Sequence, residues 1–147
     1  MSIEIEVRPA TFEIGSGGSV VGVIFVTADG QPFPAGSWSD FPLVVLSWWL
    51  DSLLSQGTGT KVLRFMEGPY YIEVSGPTLF GAANVRLVDK QNPQNGQELA
   101  LNYGEFGAEV RTAAEHAAAE CERRGWKTAD LTALRKSLRD SRRFEES

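Results

Sequence analysis

Few side chains in this chain could do acid–base or nucleophilic work, and their spacing keeps them apart. His116 is the only histidine and Cys121 the only cysteine. Five residues apart on a helix, they point about 140° from one another, so imidazole and thiol cannot pair there as base and nucleophile. One imidazole cannot assemble a multi-histidine metal site, and His116 falls at the edge of its helix's apolar stripe. The Ala-rich surroundings of Cys121 suit a thiol that acts as a small hydrophobe. The glycines of GSGGS, Gly15 to Ser19, precede a strand and so lack the helix N-terminus that cradles a phosphate; a turn is their expected use. Glu67 and Glu73 can approach each other across a hairpin, yet carboxylates on exposed strand positions are ordinary without a cleft around them. No catalytic residue, metal site or cofactor is expected from these residues.

The aromatic residues offer a different chemistry, that of contact. Trp and Tyr are enriched among the residues that dominate binding energies, and Trp38, Trp48 and Tyr71 are placed to act as anchors. Asp40 and Asp51 bracket the tandem tryptophans with charge. These five residues form the candidate binding set. Trp48 has two readings, a boundary residue whose indole N–H reaches solvent or a nearby acceptor, and an interface anchor. Trp38 lies in the loop PFPAGSWSD, where the core has less need of it, and Tyr71 points outward on its strand if Tyr70 points inward.

The stretch SDFPLVVLSWWLDSLL, Ser39 to Leu54, must position most of this set. From Phe41 to Leu54 it is apolar apart from Ser47, Asp51 and Ser52, and it falls short of the ~20 residues that span a bilayer. Pro42 suits a first helical turn, with Asp40 or Ser39 before it as the cap. At about 100° per residue, Ser47, Asp51 and Ser55 gather on a narrow polar stripe, which predicts a mostly buried helix lying across a sheet. Trp49 and Leu53 fall in the middle of the apolar arc and Trp48 at its edge. Trp49 is therefore expected in the core and Trp48 half covered.

The remaining elements follow from periodicity. In IEIEVR, Ile3, Ile5 and Val7 alternate with Glu4, Glu6 and Arg8, as a strand with one covered face requires. Val20 to Val26 is apolar on both faces and leads to Asp29-Gly30, a more central strand followed by a turn. KVLRFMEGPYYIEVSG reads as a hairpin around Glu67-Gly68-Pro69, with Leu63 and Phe65, then Tyr70, Ile72 and Val74, facing inward. ANVRLVDK and ELALNY extend it to a four-stranded antiparallel meander, adding Val85, Leu87, Leu99, Leu101 and Tyr103. From Glu105 to Arg124 the positions Phe106, Val110, Ala113, Ala114, Ala117 and Cys121 recur at helical spacing, and Gly125 supplies the stop. Thr128 caps a second helix with the stripe Leu131, Leu134 and Leu138, followed by the charged tail RDSRRFEES. The first helix is acidic and the second basic, so Arg135, Lys136, Arg139, Arg142 and Arg143 read as a solvated, internally paired face. The expected architecture is a single α+β domain with a mainly antiparallel sheet of about six strands, one long buried helix and a C-terminal helical hairpin.

Composition narrows the class. A chain of 147 residues, 42% hydrophobic and 22% charged, can bury a sizeable core. One cysteine excludes an internal disulfide framework, and the N-terminus lacks the basic region and apolar stretch of a signal peptide, so a cytoplasmic location and no membrane association are expected. The net charge of −5 belongs to residues 1 to 56, where Glu4, Glu6, Glu13, Asp29, Asp40 and Asp51 face only Arg8. That balance argues against nonspecific nucleic-acid binding, which needs clustered Lys and Arg, and suits a basic protein surface as partner.

WSDFP running into LSWWL, and then the hairpin RFMEGPY, resembles a pattern in small bacterial proteins, some of them encoded as immunity partners of polymorphic toxins. The likeness spans residues 38 to 71 and is aromatic and structural. It implies an α+β protein that works by binding another protein. The leading expectation is therefore a non-enzymatic binding module that occludes a cognate toxin, with Trp38, Trp48 and Tyr71 as anchors and Asp40 and Asp51 as complementary charge. The alternative is a small enzyme or ligand-binding protein with a pocket between sheet and helices.

Overall fold

The computed structural model describes residues 3–55, 59–77 and 81–146, with the side chains of Asn95, Glu145 and Glu146 left aside; Ser147, the end of the charged tail, lies outside the described residues. The fold is α+β, and among the described residues eight strands form two antiparallel sheets of four rather than one sheet of about six. The first sheet is built on β2 (Val20–Ala28), the strand whose apolar character on both faces marked it as central. Along one edge runs β1 (Ile3–Ile14), in register from Ile3↔Ala28 to Arg8↔Val23 and again at Glu13↔Val21. Between those blocks β1 bulges. Thr11 Oγ1 donates to the Arg8 carbonyl at 2.6 Å and accepts from Val23 N at 2.9 Å, and the bulge turns Phe12 into the core at 1% exposure. Gly22 makes this possible, because a Cβ there would stand 2.5 Å from the Phe12 ring.

The other edge of β2 is shared by β3 (Gln31–Phe33) and β4 (Ser39–Asp40). Asp29 and Gly30, both at positive φ, make the two-residue turn from β2 into β3 that their types predict. These two short strands account for the difference from about six expected. At three and two residues they are too brief to show a period.

The second sheet is the expected meander: β5 (Lys61–Arg64), β6 (Tyr70–Ser75), β7 (Ala82–Asp89) and β8 (Glu98–Asn102), in that order. Its inner face carries the rows Leu63↔Ile72↔Leu87 and Val74↔Val85↔Leu99, all six side chains buried. Its outer face carries Arg64↔Tyr71↔Val88 and Glu73↔Arg86↔Glu98, the Arg86 guanidinium 3.8 Å from each carboxylate. The first helix, α1 (Pro42–Leu54), packs along β5, and the Trp49 indole N–H donates to the Arg64 carbonyl at 2.8 Å. That bond occupies an acceptor on the open edge of the sheet.

The helix α2 (Tyr103–Arg123) packs on β1 and α1, while α3 (Ala129–Asp140) packs on α1 and α2. All the apolar positions singled out on α2 and α3 are buried. Tyr103 departs from the strand role expected of it. Asn102 accepts a hydrogen bond from Glu105 N at 2.9 Å as an N-cap, so the helix begins at Tyr103, whose hydroxyl donates to the Leu53 carbonyl at the end of α1. Gly125, at φ 74, ends the helix and Thr128 caps the next, as predicted. The two helices are cross-linked as their charges suggest: Arg135 lies 3.0 Å from Glu115 and is also paired with Glu122, and that hydrogen bond holds the Glu122 carboxyl below its ordinary range. Just before Gly125, Arg124 reaches back to the β1 bulge and donates to the carbonyls of Phe12 at 2.7 Å and Pro9 at 3.2 Å.

Candidate functional site

The structure divides the five candidate residues into two groups. Trp38 and Asp40 form an internal tie. Asp40 is 2% exposed. One of its oxygens accepts from Phe41 N at 2.7 Å and Met66 N at 3.2 Å, and the other from Trp38 Nε1 at 2.9 Å and Glu67 N at 3.1 Å. The carboxylate thus joins the start of α1 to the β5–β6 turn. It is not the surface charge that its position before the helix suggested, and it makes no side-chain N-cap bond, since Phe41 occupies the cap position. Trp38 is half-buried, its ring packed edge to face on Tyr70 at 5.3 Å.

Trp48, Asp51 and Tyr71 form the second group, on the outside. Trp48 is 41% exposed, one of the few large hydrophobic side chains so open, whereas Trp49 beside it is fully buried. With Asp51, Ser52, Val62 and Arg64, Trp48 lines a depression of about 340 Å³ between α1 and β5. Tyr71 is the cross-strand partner of Arg64 on the same outer face, and the Lys90 ammonium lies 5.7 Å from its ring centroid. Trp48, Arg64 and Tyr71 therefore follow one another across the edge of the molecule. Arg64 has no ion-pair partner among the described residues, and Asp51 receives one hydrogen bond, from Ser137 Oγ at 2.8 Å.

One position of the expected polar stripe on α1, that of Ser47, is covered rather than open, while Trp48, Trp49 and Asp51 sit as the helical phase predicts. Ser47, placed on the polar stripe, is 7% exposed, because its hydroxyl meets that of Ser137 on α3 at 2.8 Å. A matched pair of hydroxyls lets a polar position face another helix. The side left uncovered runs through Phe41, Val44, Trp48, Asp51 and Ser52, so the open face of α1 joins an apolar strip to a carboxylate. Val62 and Arg64 were not singled out in the sequence. The alternation that sends Leu63 and Phe65 inward does send them outward; only the packing of α1 beside β5 makes them part of a site.

The acid–base and thiol candidates stay apart. Cys121 is fully buried, and burial above all pushes its thiol up to about 11, so it is protonated at neutral pH. His116 is exposed on the far side of the same helix, and Glu73 is held by Arg86. Among the described residues no group of three or more His, Cys, Asp and Glu side chains is arranged to hold a metal ion, and no helix is long and apolar enough to cross a membrane. No family model matches the chain, and neither a curated protein sequence nor a solved structure matches it.

Proposed function

We propose that this chain is a non-enzymatic protein-binding module that uses the face formed by Trp48, Arg64 and Tyr71. The observation that carries the reading is the exposed indole of Trp48 on the open side of α1, above a depression lined by Arg64, which has no ion-pair partner among the described residues. Trp, Tyr and Arg are the residue types most enriched among binding hot spots. Covering the rest of the Trp48 ring adds about 2 kcal/mol at ~25 cal/mol per Å². Leu46, Trp49, Leu50 and Leu53 of α1 are fully buried, so the helix gives its inward side to the core and leaves Trp48 for contact.

The resemblance to toxin-immunity proteins makes a toxin domain the partner class, with occlusion as the mechanism. The charge argument for a basic partner weakens on this face, where Asp51 and Arg64 stand together and Asp40 is internal. A partner surface offering an apolar cavity flanked by both signs of charge fits better. Affinity capture from the native organism, repeated with Trp48→Ala, Arg64→Glu and the surface control His116→Ala, tests the proposal. A partner retained by the parent and the control but lost by the first two supports it. A partner held equally by all four places the binding surface elsewhere.

A further inference from the structure

A second depression, of about 400 Å³, lies where the two sheets meet. Phe33 and Pro34 wall it from the first sheet and Tyr70 and Asp89 from the second, with Asn92 and Gln97 contributed by the connection from β7 to β8. It stands apart from the Trp48 face, with which it shares no lining residue.

Three features of this lining point to one ligand chemistry. Among the described residues Asp89 is the only charged side chain lining it. One carboxylate oxygen accepts from Gln91 N at 2.9 Å, and the other has no hydrogen-bond partner among the described residues. The nearby cations are engaged elsewhere: Arg86 lies 3.8 Å from Glu73 and from Glu98, and the Lys90 ammonium lies over Tyr71. Asp89 therefore has no ion-pair partner among the described residues.

Beside it stand two aromatic rings, Phe33 and Tyr70, with centroids 5.7 Å apart and planes at 84°. Each ring also packs on a further aromatic. Phe33 also packs edge to face on Phe65 at 6.1 Å, and Tyr70 on Trp38 at 5.3 Å. A carboxylate next to two packed aromatic rings attracts a cation by its charge, and a ring face open to the depression adds the attraction of its quadrupole. The side-chain carbonyls of Asn92 and Gln97 add acceptors for N–H donors.

We propose that this depression is a binding site for an organic cation, an alkylammonium or guanidinium group, carried by a small molecule or by a Lys or Arg side chain. The full-length chain titrated by two-dimensional NMR with methylguanidinium, tetramethylammonium and, as a control anion, acetate tests it. The cations produce saturable shifts at the amides of Asp89, Gly96 and Gln97, and acetate produces none. Asp89→Asn, which keeps the acceptor for Gln91 N and so keeps the turn, weakens cation binding about tenfold. Phe33→Leu weakens it as well, while Trp48→Ala leaves it unchanged, which separates this site from the Trp48 face. Tighter binding of capped arginine amide than of methylguanidinium assigns the site to a partner's side chain; equal or weaker binding assigns it to a free small cation. Absence of saturable shifts, the same response to acetate, or an Asp89→Asn variant that binds like the parent overturns the proposal.

Discussion

Replacing each of the adjacent tryptophans by alanine separates the two roles that the structure gives them. Trp49 is fully buried, packs at 5.2 Å and 90° against Phe65, and donates its indole N–H to the Arg64 carbonyl. Trp49→Ala removes the ring, the aromatic pair and the hydrogen bond together and leaves a cavity among close-packed neighbours, for a loss of about 3–5 kcal/mol. Trp49→Phe keeps most of the ring volume but strips the Arg64 carbonyl of its donor, a loss of about 1–3 kcal/mol. Trp48, with 41% of its surface already in water, leaves no enclosed cavity, and Trp48→Ala costs about 1–2 kcal/mol. Urea unfolding of the three variants, read as midpoint shifts at constant slope, gives the order Trp49→Ala, then Trp49→Phe, with Trp48→Ala well below the first. Equal losses for the two alanine variants, or the reverse order, refute the assignment of Trp49 to the core and of Trp48 to the open face of α1.

Two further outcomes follow from buried polar groups. Asp40→Ala leaves four N–H donors without their acceptor and destabilises by about 3 kcal/mol or more, with Asp40→Asn intermediate; a variant as stable as the parent under urea contradicts the tie described between α1 and the β5–β6 turn. The Cys121 thiol, pushed from 9.0 up to about 11, and the Tyr103 hydroxyl, from 10.0 up to about 12, are both raised chiefly by burial. The folded state therefore holds both protons to higher pH than the unfolded chain does. Their contribution is fully present below the ordinary values and is lost as pH rises through the raised ones. Stability measured from about pH 8 upward declines above about pH 9, and the double variant Cys121→Ala, Tyr103→Phe declines less steeply; an identical slope in parent and variant rules out these two groups as the cause.

Local chemistry was legible in the sequence wherever a few neighbouring residues decide the outcome. Asp29-Gly30 could make its turn, Gly125 could end α2 and Thr128 could start α3 because positive φ and side-chain capping are properties of one or two residues. The inward rows of the β5–β8 meander were legible for the same reason, since strict alternation needs no knowledge of what covers the face. The burial of Trp49 and the partial exposure of Trp48 also followed from helical phase alone. What tertiary structure decided is which partner meets each surface. Ser47 reads as solvent-facing until Ser137, 90 positions later in the chain, supplies a matching hydroxyl, and Asp40 reads as surface charge until the turn at Met66 and Glu67 brings its N–H groups to it. The Trp48 depression likewise needs β5 beside α1, and the junction depression needs Phe33 and Asp89 brought together from different sheets. A polar side chain is as well satisfied by a distant N–H or hydroxyl as by water, so only the folded arrangement determines which of the two it meets.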